Sequence, residues 1–507
     1  MLSFCYSGTI IGINGFLIKI ETDIINGIPV FNMVGLPDVA VKESRERITS
    51  AIKNSDFYFK SKKITINLAP ADLKKEGTLF DLPIAVGILA SMEYILEPEI
   101  LESYIIVGEL SLSGSISIIK GALSLAILAK EQGFKGIILP FENAKEVSII
   151  KGIDIIPVKN LKQTIDFLNG KINTQDFMFD DNIDFISTKK LDYDMKDIKG
   201  QAFARRAMEV AASGNHNILM IGPPGAGKTM LAKRLATILP NMTIDEAIET
   251  TKIHSVCGIL PNGQSIITER HFRSPHHTIS DIALIGGSSE PKPGEVSKAH
   301  NGVLFLDELP EFNRSVLEVL REPLEEQKVT ISRSKKTLDF PARIMLVAAM
   351  NPCQCGYFGT KIKECRCSPL QINRYLGKIS GPLLDRIDIH IQVPLINYDE
   401  LRTKKEPESS EIIRNRVIRT REIQKERFKK VKTNSDMNTK DLKKFCELDE
   451  TSDQILKNAV EKFNLSARSY TRILKVSRTI ADMDNSIKIK DNHILEAIQY
   501  RFFENID

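Results

Sequence analysis

Three short runs in the middle of the chain are apolar at every position, and each is followed at once by glycine or polar residues. They cover residues 218–221, 303–306 and 344–350, and the helix-like segment MLAKRLATIL comes soon after the first. Runs without alternation are typical of strands buried on both faces of a parallel sheet. Ligands of open α/β sheets bind at the carboxyl ends of such strands. The pattern therefore predicts an α/β core with its chemistry at one sheet edge.

The segments on either side of this core have different patterns. Residues 1–168 alternate short β-rich runs, such as KITINLA and GIILP, with helical stretches, which is typical of an α+β domain. Residues 169–197 are polar and rich in Asp, as in a linker. Helical patterns dominate the end of the chain. We therefore expect an α+β domain at 1–168, a linker at 169–197, an α/β core at 198–398 and a helical lid domain at 399–507.

The octapeptide GPPGAGKT, residues 222–229, lies between the first apolar run and its helix. A glycine-rich turn exposes successive backbone N–H groups there, and the helix N-terminus adds partial positive charge, so the loop can hold a polyphosphate. Lys228 would reach the outer phosphates, and the Thr229 hydroxyl would ligate Mg²⁺. The motif predicts binding of a nucleoside triphosphate.

Polar residues with complementary chemistry end the other two runs. In VLFLDE, Asp307 would hold Mg²⁺ through its water shell and Glu308 would act as general base on the attacking water. Asn351 could orient that water, or it is simply a strand-end turn residue. Arg386, in SGPLLDRIDI, lies on a short segment from which it would serve another subunit's phosphate better than its own, although a lone Arg says little.

Longer segments around these residues resemble the ComM/YifB family of magnesium chelatase-like AAA+ ATPases, and the resemblance runs nearly end to end. The matching segments include HFRSPHHTISDIALIGG, PKPGEVSKAHNGVLFLDELPEF, LREPLEE and SGPLLDRIDIHI. The resemblance implies an AAA+ P-loop ATPase core with a helical lid, working as a ring, expected to be a hexamer, with ATP and Mg²⁺ between subunits. It also implies that Asn351 is the first sensor and Arg386 an arginine finger acting in trans, which is worth about 10³ to 10⁵ in rate.

The resemblance extends to the adenine contacts and the lid. In DIKGQAFARRAMEVAASGNHN, Ile198 and Gln201 are expected nearest the base, and the segment also reads as an ordinary amphipathic helix. In NLSARSYTRILKVSRTIADM we assign the second sensor to Arg468, with Arg472 one turn later as the rival. The full set expected at the nucleotide is Ile198, Gln201, Gly222, Pro223, Pro224, Gly225, Ala226, Gly227, Lys228, Thr229 and Met230.

The first domain resembles the proteolytic domain of Lon protease, a Ser-Lys hydrolase, in KKEGTLFDLPIAVGILAS and in VGELSLSGSISIIKGALSLAILAKEQGFKGIILP. Leu79 stands where that family has its serine, and Leu123 stands where it has its lysine. An aliphatic side chain can neither attack a carbonyl nor accept a proton, so peptidase chemistry by this dyad is excluded. Thr78 and Lys120 are nearby residues that could be considered as substitutes, but each is offset from the position of the serine or the lysine. The domain is expected to serve as a platform for DNA, a partner or subunit contacts.

Charge and composition narrow the partners only slightly. With 69 Lys and Arg against 65 Asp and Glu the net charge is +4, so any nucleic-acid footprint must be local. The most apolar stretch, near residues 82–96, contains Glu93 and is too short to span a bilayer. The chain also starts without a basic leader before an apolar block. We expect a soluble cytoplasmic protein without a membrane partner, whose seven cysteines are reduced thiols.

One local basic footprint lies in VTISRSKKTLDF, residues 329–340, which reads as two short strands around a turn with Arg333, Lys335 and Lys336. In the family that the chain resembles, a β-hairpin before the first sensor strand points into the central pore. These three cations are therefore predicted to contact DNA phosphates. A solvated hairpin tip is the alternative.

A second basic element, residues 412–432, carries nine Lys or Arg and two Glu. Its thin apolar stripe of Ile412, Val417, Ile423 and Phe428 favours a solvated helix of the lid domain. A nucleic-acid face is the other interpretation.

The loop after Asn351 carries four cysteines with C-x-C-x₉-C-x-C spacing: Cys353, Cys355, Cys365 and Cys367. Four thiolates suit a tetrahedral Zn²⁺, although the usual finger spacing is C-x₂-C, and four plain reduced thiols are the alternative. His276 and His277 are adjacent to each other in the sequence and lack the spacing of metal ligands on a helix. We expect them to make loop contacts rather than to ligate metal.

Two function classes remain. The first is an ATP-hydrolysing hexameric DNA motor of helicase or branch-migration type, which the resemblance links to recombination of single strands taken up in natural transformation. The second is a remodelling ATPase that acts on a protein partner, as in magnesium chelatase. The basic hairpin and the Lon-like first domain favour the DNA motor.

Overall fold

The computed structural model describes residues 2–59, 62–75, 77–177, 193–260, 266–287, 291–333, 336–360, 363–396, 402 and 407–501. The chain forms two compact units. The first unit comprises residues 1–187 and 244–267, and the second unit comprises residues 188–243 and 268–507.

The strands of both units follow in chain order. They are β1 (Leu2–Ile11), β2 (Asn14–Ile25), β3 (Val30–Val34), β4 (Lys63–Ala69), β5 (Tyr104–Ile106), β6 (Glu109–Leu110), β7 (Ile116–Ser117), β8 (Gly136–Pro140), β9 (Asp154–Val158), β10 (Ile218–Ile221), β11 (Phe272–Arg273), β12 (Gly286–Gly287), β13 (Lys292–Pro293), β14 (Val303–Leu306), β15 (Lys328–Arg333), β16 (Lys336–Pro341), β17 (Met345–Met350) and β18 (Ile389–Gln392).

The α-helices are numbered in the same way. They are α1 (Val39–Asn54), α2 (Asp81–Ser91), α3 (Ala122–Glu131), α4 (Ala144–Val147), α5 (Leu161–Leu168), α6 (Ala202–Gly214), α7 (Lys228–Ile238), α8 (Ile244–Cys257), α9 (Asp281–Ile285), α10 (Glu295–Lys298), α11 (Arg314–Glu318), α12 (Arg321–Glu326), α13 (Pro369–Leu376), α14 (Gly381–Leu384), α15 (Ser410–Phe428), α16 (Thr439–Phe445), α17 (Glu450–Phe463), α18 (Ala467–Met483) and α19 (Asp491–Gln499).

The first unit is built on a mixed sheet with the strand order β3-β4-β2-β1-β5-β8-β9. β1 pairs antiparallel with β2, and β5, β8 and β9 continue the sheet in parallel. Helix α2 packs on β1 and β2, and every one of its residues is buried. The apolar stretch near residues 82–96 therefore contains a core helix, which ends at Ser91. No helix in the described ranges is both long enough and apolar enough to cross a bilayer.

Helix α8 packs with the first unit although its sequence lies between two elements of the second. Ser255 donates a hydrogen bond to Glu146, and Lys252 Nζ lies 2.9 Å from Asn14 Oδ1. Within the second unit the residues on either side of this segment are joined, since Met242 N donates to Thr268 O at 3.1 Å. The sequence pattern assigns this segment to the α/β core and does not predict that it packs with the first unit.

The second unit contains the predicted parallel sheet, with the strand order β11-β14-β17-β10-β18. Every strand pair in it is parallel, and β10, β14 and β17 are completely buried. Buried apolar residues along these three strands face α6 and α7 on one side of the sheet, as continuous apolar runs require. The α/β fold class predicted from the sequence is confirmed.

The C-terminal helices share one hydrophobic core with this sheet. Ile413 and Val417 of α15 and Ile473 of α18 belong to the same buried cluster as Ile218 and Phe305. The predicted apolar stripe of α15 is wrong at its first position, because Ile412 is half exposed and Ile413 is the buried residue. The boundaries at 168, 197 and 398 remain predictions.

Strands β15 and β16 form an antiparallel hairpin directly before β17. Its stalk is fastened by Asp339, which accepts from Lys328 Nζ at 2.6 Å and from Thr330 Oγ1 at 2.8 Å. The two predicted strands are confirmed. Lys335 at the turn lies outside the described residues, and Arg333 and Lys336 are the residues paired at the end of the ladder.

Candidate functional site

The carboxyl ends of β10, β14 and β17 meet at one edge of the sheet. In the register of these parallel strands Ile221 is opposite Met350, and Leu306 is opposite Ala348. Because each strand ends here, the residues that follow them share this edge. It carries the phosphate loop, the acid pair and Asn351 together, as the sequence predicted.

Lys228 is the first residue of α7 and is nearly buried. Its Nζ donates to Gly222 O at 2.7 Å, to Pro223 O at 3.0 Å and to Asn351 Oδ1 at 3.1 Å. Burial lowers the pKa of Lys228, and the nearby carboxylates of Asp307 and Glu308 oppose this shift. The ammonium group therefore lies in a pocket of oxygen atoms, where it can exchange carbonyl contacts for those of a phosphate.

The glycines of the phosphate loop are required by its backbone. Gly225 and Gly227 have φ angles of 78° and 82°, which side chains rarely adopt. A Cβ at Gly222 would lie 2.2 Å from Val393 O, so only glycine lets the loop pass this close to the end of β18. Met230 packs beside the loop, its Cε 3.3 Å from where a Cβ on Gly227 would be.

Thr229 and Asp307 lie together as a hydroxyl and carboxylate pair. Thr229 Oγ1 donates to Asp307 Oδ2 at 2.6 Å, so these oxygens can serve one Mg²⁺ ion directly or through its water shell. When bound, the ion would neutralise charge on the phosphates. Hard oxygen donors next to a backbone anion cradle fit both magnesium and a triphosphate.

Glu308 has a backbone conformation that is unusual for a glutamate. Its φ is 53°, and its own N–H donates to Asp307 Oδ1 at 2.9 Å. Left-handed backbone at a non-glycine residue costs about 1–2 kcal/mol and persists where the surroundings impose it. The turn directs the half-exposed carboxylate of Glu308 away from the strand, where a general base needs access to water.

His277 contacts this glutamate, and sequence reasoning missed its importance. His277 Nδ1 lies 3.5 Å from Glu308 Oε2, and the ring stacks on His276 with centroids 4.1 Å apart. His276 Nδ1 bonds to Thr278. The predicted loop contact of His277 is therefore one with the candidate base, and only the fold brings together two residues that are 31 positions apart.

Gln201 contacts the phosphate loop, whereas Ile198 is a core residue. Ile198 is fully buried in the core of the second unit, and Gln201 Nε2 donates to Ala226 O at 2.8 Å and to Pro394 O at 3.1 Å. Gln201 also has a positive φ, 50°. Among the described residues, none bonds to its buried Oε1 atom. An unpaired acceptor fits the amino group of an adenine base.

The three candidate arginines have different surroundings. Arg386 is buried, donates to Pro382 O at 2.5 Å and forms an ion pair with Glu325 on α12. Arg472 is held by buried Asp388, with Nη1 2.7 Å from Oδ1. Arg468 is 57% exposed and its nearest carboxylate, Asp385, lies 3.8 Å away. Arg468 is thus exposed, whereas Arg386 is held within the chain by Glu325 and Pro382.

The four cysteines of the loop after β17 come together in space. Their sulfur atoms all lie within 4.8 Å of one another, with Cys353 buried and the others half-buried. Backbone N–H groups of Tyr357 and Arg366 lower the pKa of the Cys355 thiol to about 6. The arrangement is a possible four-cysteine metal site.

The Lon-like positions of the first unit carry no hydrolytic pair. Leu123 is completely buried, and Leu79 packs against the core of the unit. Thr78 Oγ1 donates to Glu109 at 2.5 Å, and the Lys120 side chain packs against Gly258. Thr78 and Lys120 thus have separate partners.

The basic helix α15 uses several of its arginines inside the second unit. Arg416 bonds to Glu209 at 2.5 Å and to Glu408 at 2.8 Å, and Arg421 donates to Ala212 O. Arg414 donates to Thr237 O, and Arg427 pairs with buried Asp482. The contacts with Glu209, Ala212 and Thr237 fasten α15 to α6 and α7 of the α/β core, which favours the interpretation of α15 as a helix of the lid domain.

Three family profiles match the chain. "Magnesium chelatase, subunit ChlI" matches residues 194–401, "Subunit ChlI of Mg-chelatase" matches 20–143, and "Magnesium chelatase, subunit ChlI C-terminal" matches 407–501. A parallel sheet with a phosphate loop, an acid pair and a polar amide at one edge, together with these matches, defines an AAA+ ATPase of the magnesium chelatase type.

Relatives that match along the whole chain identify the family more precisely. Competence protein ComM of Haemophilus influenzae is 44% identical over 99% of this chain and 97% of its own length. Uncharacterized protein YifB of Escherichia coli is 42% identical over 100% of this chain and 98% of its own length. Lon protease 2 of Bacillus subtilis is 30% identical over 28% of this chain and 27% of its own length. The chain belongs to the ComM/YifB family of magnesium chelatase-like AAA+ ATPases, which implies ATP and Mg²⁺ as its ligands.

Proposed function

We propose that the chain is the subunit of a hexameric, ATP-hydrolysing DNA motor of helicase or branch-migration type, acting in the cytoplasm on single-stranded or branched DNA. The name of the relative from Haemophilus influenzae, a competence protein, supports a competence-related role, and the role that we propose is recombination of DNA taken up in transformation. The observation that carries the proposal is a basic hairpin attached to the sensor strand of an ATPase site.

The hairpin is connected to the ATP site through the backbone. Only residues 342–344 separate β16 from β17, and β17 is followed directly by Asn351, which accepts a hydrogen bond from Lys228. A movement at the phosphates can therefore reach the hairpin along one strand. The tip residues Arg333, Lys335 and Lys336 supply the positive charge that a phosphate backbone requires.

We infer the hydrolytic roles from the residues that share this edge. Lys228 would hold the outer phosphates, Thr229 and Asp307 would serve Mg²⁺, and Glu308 would take a proton from the attacking water. Asn351 would orient that water. Arg468 would act on the nucleotide of its own subunit, and Arg386 would act on that of a neighbour.

Charge reversal at the hairpin tip tests the DNA proposal. We expect Lys335→Glu with Lys336→Glu to weaken binding to forked DNA, to reduce the salt slope of log Kd by roughly two units, and to leave basal ATPase unchanged. The matched control reverses two adjacent exposed lysines of α16, Lys443→Glu with Lys444→Glu, and should bind as wild type. An unchanged salt slope in the tip variant would overturn the proposed DNA contact.

A second function is favoured by one observation, the match of all three segments to profiles of a magnesium chelatase subunit. The chain would then remodel a protein partner. Stimulation of ATPase by single-stranded or forked DNA, together with ATP-dependent branch migration that is absent in Lys228→Ala, distinguishes the two. ATPase and assembly that are both indifferent to polynucleotides would favour the protein partner.

A further inference from the structure

The loop that follows Asn351 brings four sulfur atoms into the arrangement of a metal site. Cys353 Sγ lies 3.3 Å from Cys355 Sγ and 3.7 Å from Cys365 Sγ, and the last two are 3.6 Å apart. A tetrahedral Zn²⁺ with bonds of about 2.3 Å needs sulfur atoms about 3.8 Å apart. A disulfide needs about 2.05 Å, and all of these cysteines are unbridged.

Backbone donors around the sulfurs support thiolate ligands. Phe358 N donates to Cys353 Sγ at 3.4 Å, and the N–H groups of Tyr357 and Arg366 point at Cys355. N–H groups aimed at sulfur stabilise negative charge on a metal-bound thiolate and fix the ligand geometry. The turn that allows this is made by Gly356 and Gly359, with φ angles of 86° and 70°.

The same loop touches the ATP site at two points. A Cβ at Gly356 would lie 2.5 Å from Pro224 Cδ, so the loop is packed directly on the phosphate loop. Cys353 is two residues after Asn351, whose Oδ1 accepts the hydrogen bond from Lys228. One short segment therefore carries Asn351 and also packs against Pro224 of the phosphate loop.

We propose that Cys353, Cys355, Cys365 and Cys367 bind one Zn²⁺ ion, and that the metal fixes Asn351 and Pro224 at the ATP site so that hydrolysis depends on it. Without the ion, four thiols on a loop with two glycine turns do not hold one conformation. Nucleotide affinity depends mainly on the backbone cradle and Lys228, which lie outside the loop. Loss of the metal then lowers kcat more than it weakens binding. The coupling rests on ATP hydrolysis alone and is independent of the DNA proposal.

Metal analysis of the full-length chain, purified without chelators, tests the site. We expect one zinc ion per chain in wild type, loss of the ion in Cys365→Ser with Cys367→Ser, and retention in Cys257→Ser, a cysteine outside the cluster. Replacement by Co²⁺ should give the visible bands of a tetrahedral thiolate site. Wild type that binds neither metal under reducing conditions, or a double variant that keeps its zinc, would overturn the site.

Kinetics of the same proteins test the coupling. In the double serine variant we expect kcat for ATP to fall by about ten- to a hundredfold, because a displaced group no longer orients the attacking water. The Kd for a fluorescent ATP analogue should change by less than about threefold. Should the variant fold poorly, zinc is instead removed from wild type with a mercurial reagent and restored, and Co²⁺ should also restore kcat. A zinc-free chain with unchanged kcat would overturn the coupling of the metal to hydrolysis. The metal analysis would still show whether the four cysteines bind zinc.

Discussion

Single side chains at the edge of the parallel sheet are the ones to which we assign the chemistry, and contacts between them fix their positions. Lys228 is held by two backbone carbonyls and by Asn351, and Thr229 is held by Asp307. The residues proposed to bind the nucleotide are thus held in place by contacts with one another. Glu308 is different, because its strained turn and its neighbour His277 orient it without a strong hydrogen bond.

Replacement of the candidate base is the sharpest test at this scale. We expect Glu308→Gln to lower kcat for ATP hydrolysis by about 10²- to 10⁴-fold, because the amide cannot accept the proton, with nucleotide affinity retained. Glu311→Gln is the matched control, since Glu311 lies on the same short turn and contacts only Lys378 at 3.5 Å among the ion pairs of the described residues. Steady-state ATPase and analogue binding give both numbers. Normal turnover in Glu308→Gln would remove it from the mechanism.

The sequence predicted that these residues share one edge of the sheet because their signals are local, and their roles stay predictions. The phosphate loop, VLFLDE and Asn351 each follow an apolar strand, so their shared edge follows from parallel pairing. His277 gave no such signal, since its contact with Glu308 depends on how two loops approach each other.

Pairs of elements are joined by ion pairs that the sequence could not assign. Helix α15 looked uniformly basic, yet Arg416 reaches Glu209 on α6 while Arg419, three residues later, is exposed. Likewise Arg472 of α18 is tied to Asp388 next to β18, which leaves Arg468 as the accessible sensor candidate.

The two arginines of α15 should differ in their effect on stability. Arg416→Ala leaves the buried carboxylate of Glu209 without its partner, and we expect this to reduce the free energy of unfolding by about 1–3 kcal/mol. Arg419→Ala should change it by less than about 0.5 kcal/mol, because that side chain is exposed. Thermal and urea unfolding measure the difference. Equal stability of both variants would show that the contact of Arg416 with α6 contributes nothing.

The ion pair of Arg472 and Asp388 should make the free energy of unfolding depend on pH in the acid range. Burial raises the pKa of Asp388, but Arg472 and then His216 lower it more, so it lies below the ordinary Asp value. A depressed carboxylate pKa stabilises the fold fully above about pH 5 and loses this contribution as the pH falls below about 4. Arg472→Met should therefore be less stable than wild type at pH 7, with the difference shrinking towards pH 3. A constant difference across this range would contradict the pairing.

The whole molecule is expected to work as a ring, and one arginine links subunits in that hypothesis. In a single chain Arg386 is buried against Glu325 and Pro382. An arginine that acts in trans must exchange this ion pair for a neighbour's phosphate when subunits assemble. Glu325 then holds the finger until a neighbour is present.

Mixing two inactive variants tests action in trans. Arg386→Ala and Lys228→Ala should each lose most ATPase activity, since a finger is worth about 10³ to 10⁵ in rate and the lysine holds the phosphates. In mixed rings, a site with intact Lys228 can receive Arg386 from the other variant. We expect activity to return at roughly one quarter of interfaces after equal random mixing. No recovery, with mixed rings shown by co-purification of the two variants through different affinity tags, would place Arg386 in its own subunit's site or outside catalysis.

The amino-acid sequence by itself determined the parallel sheet, the phosphate loop and the acid pair, because these depend on neighbours along the chain and on strand periodicity. Only the tertiary structure decided that α8 packs with the first unit, that Arg386 is held by Glu325, and that the cysteine loop lies on Pro224. Each of these is a contact between segments far apart in sequence. Their energies come from packing and charge pairing in space, which local patterns do not encode.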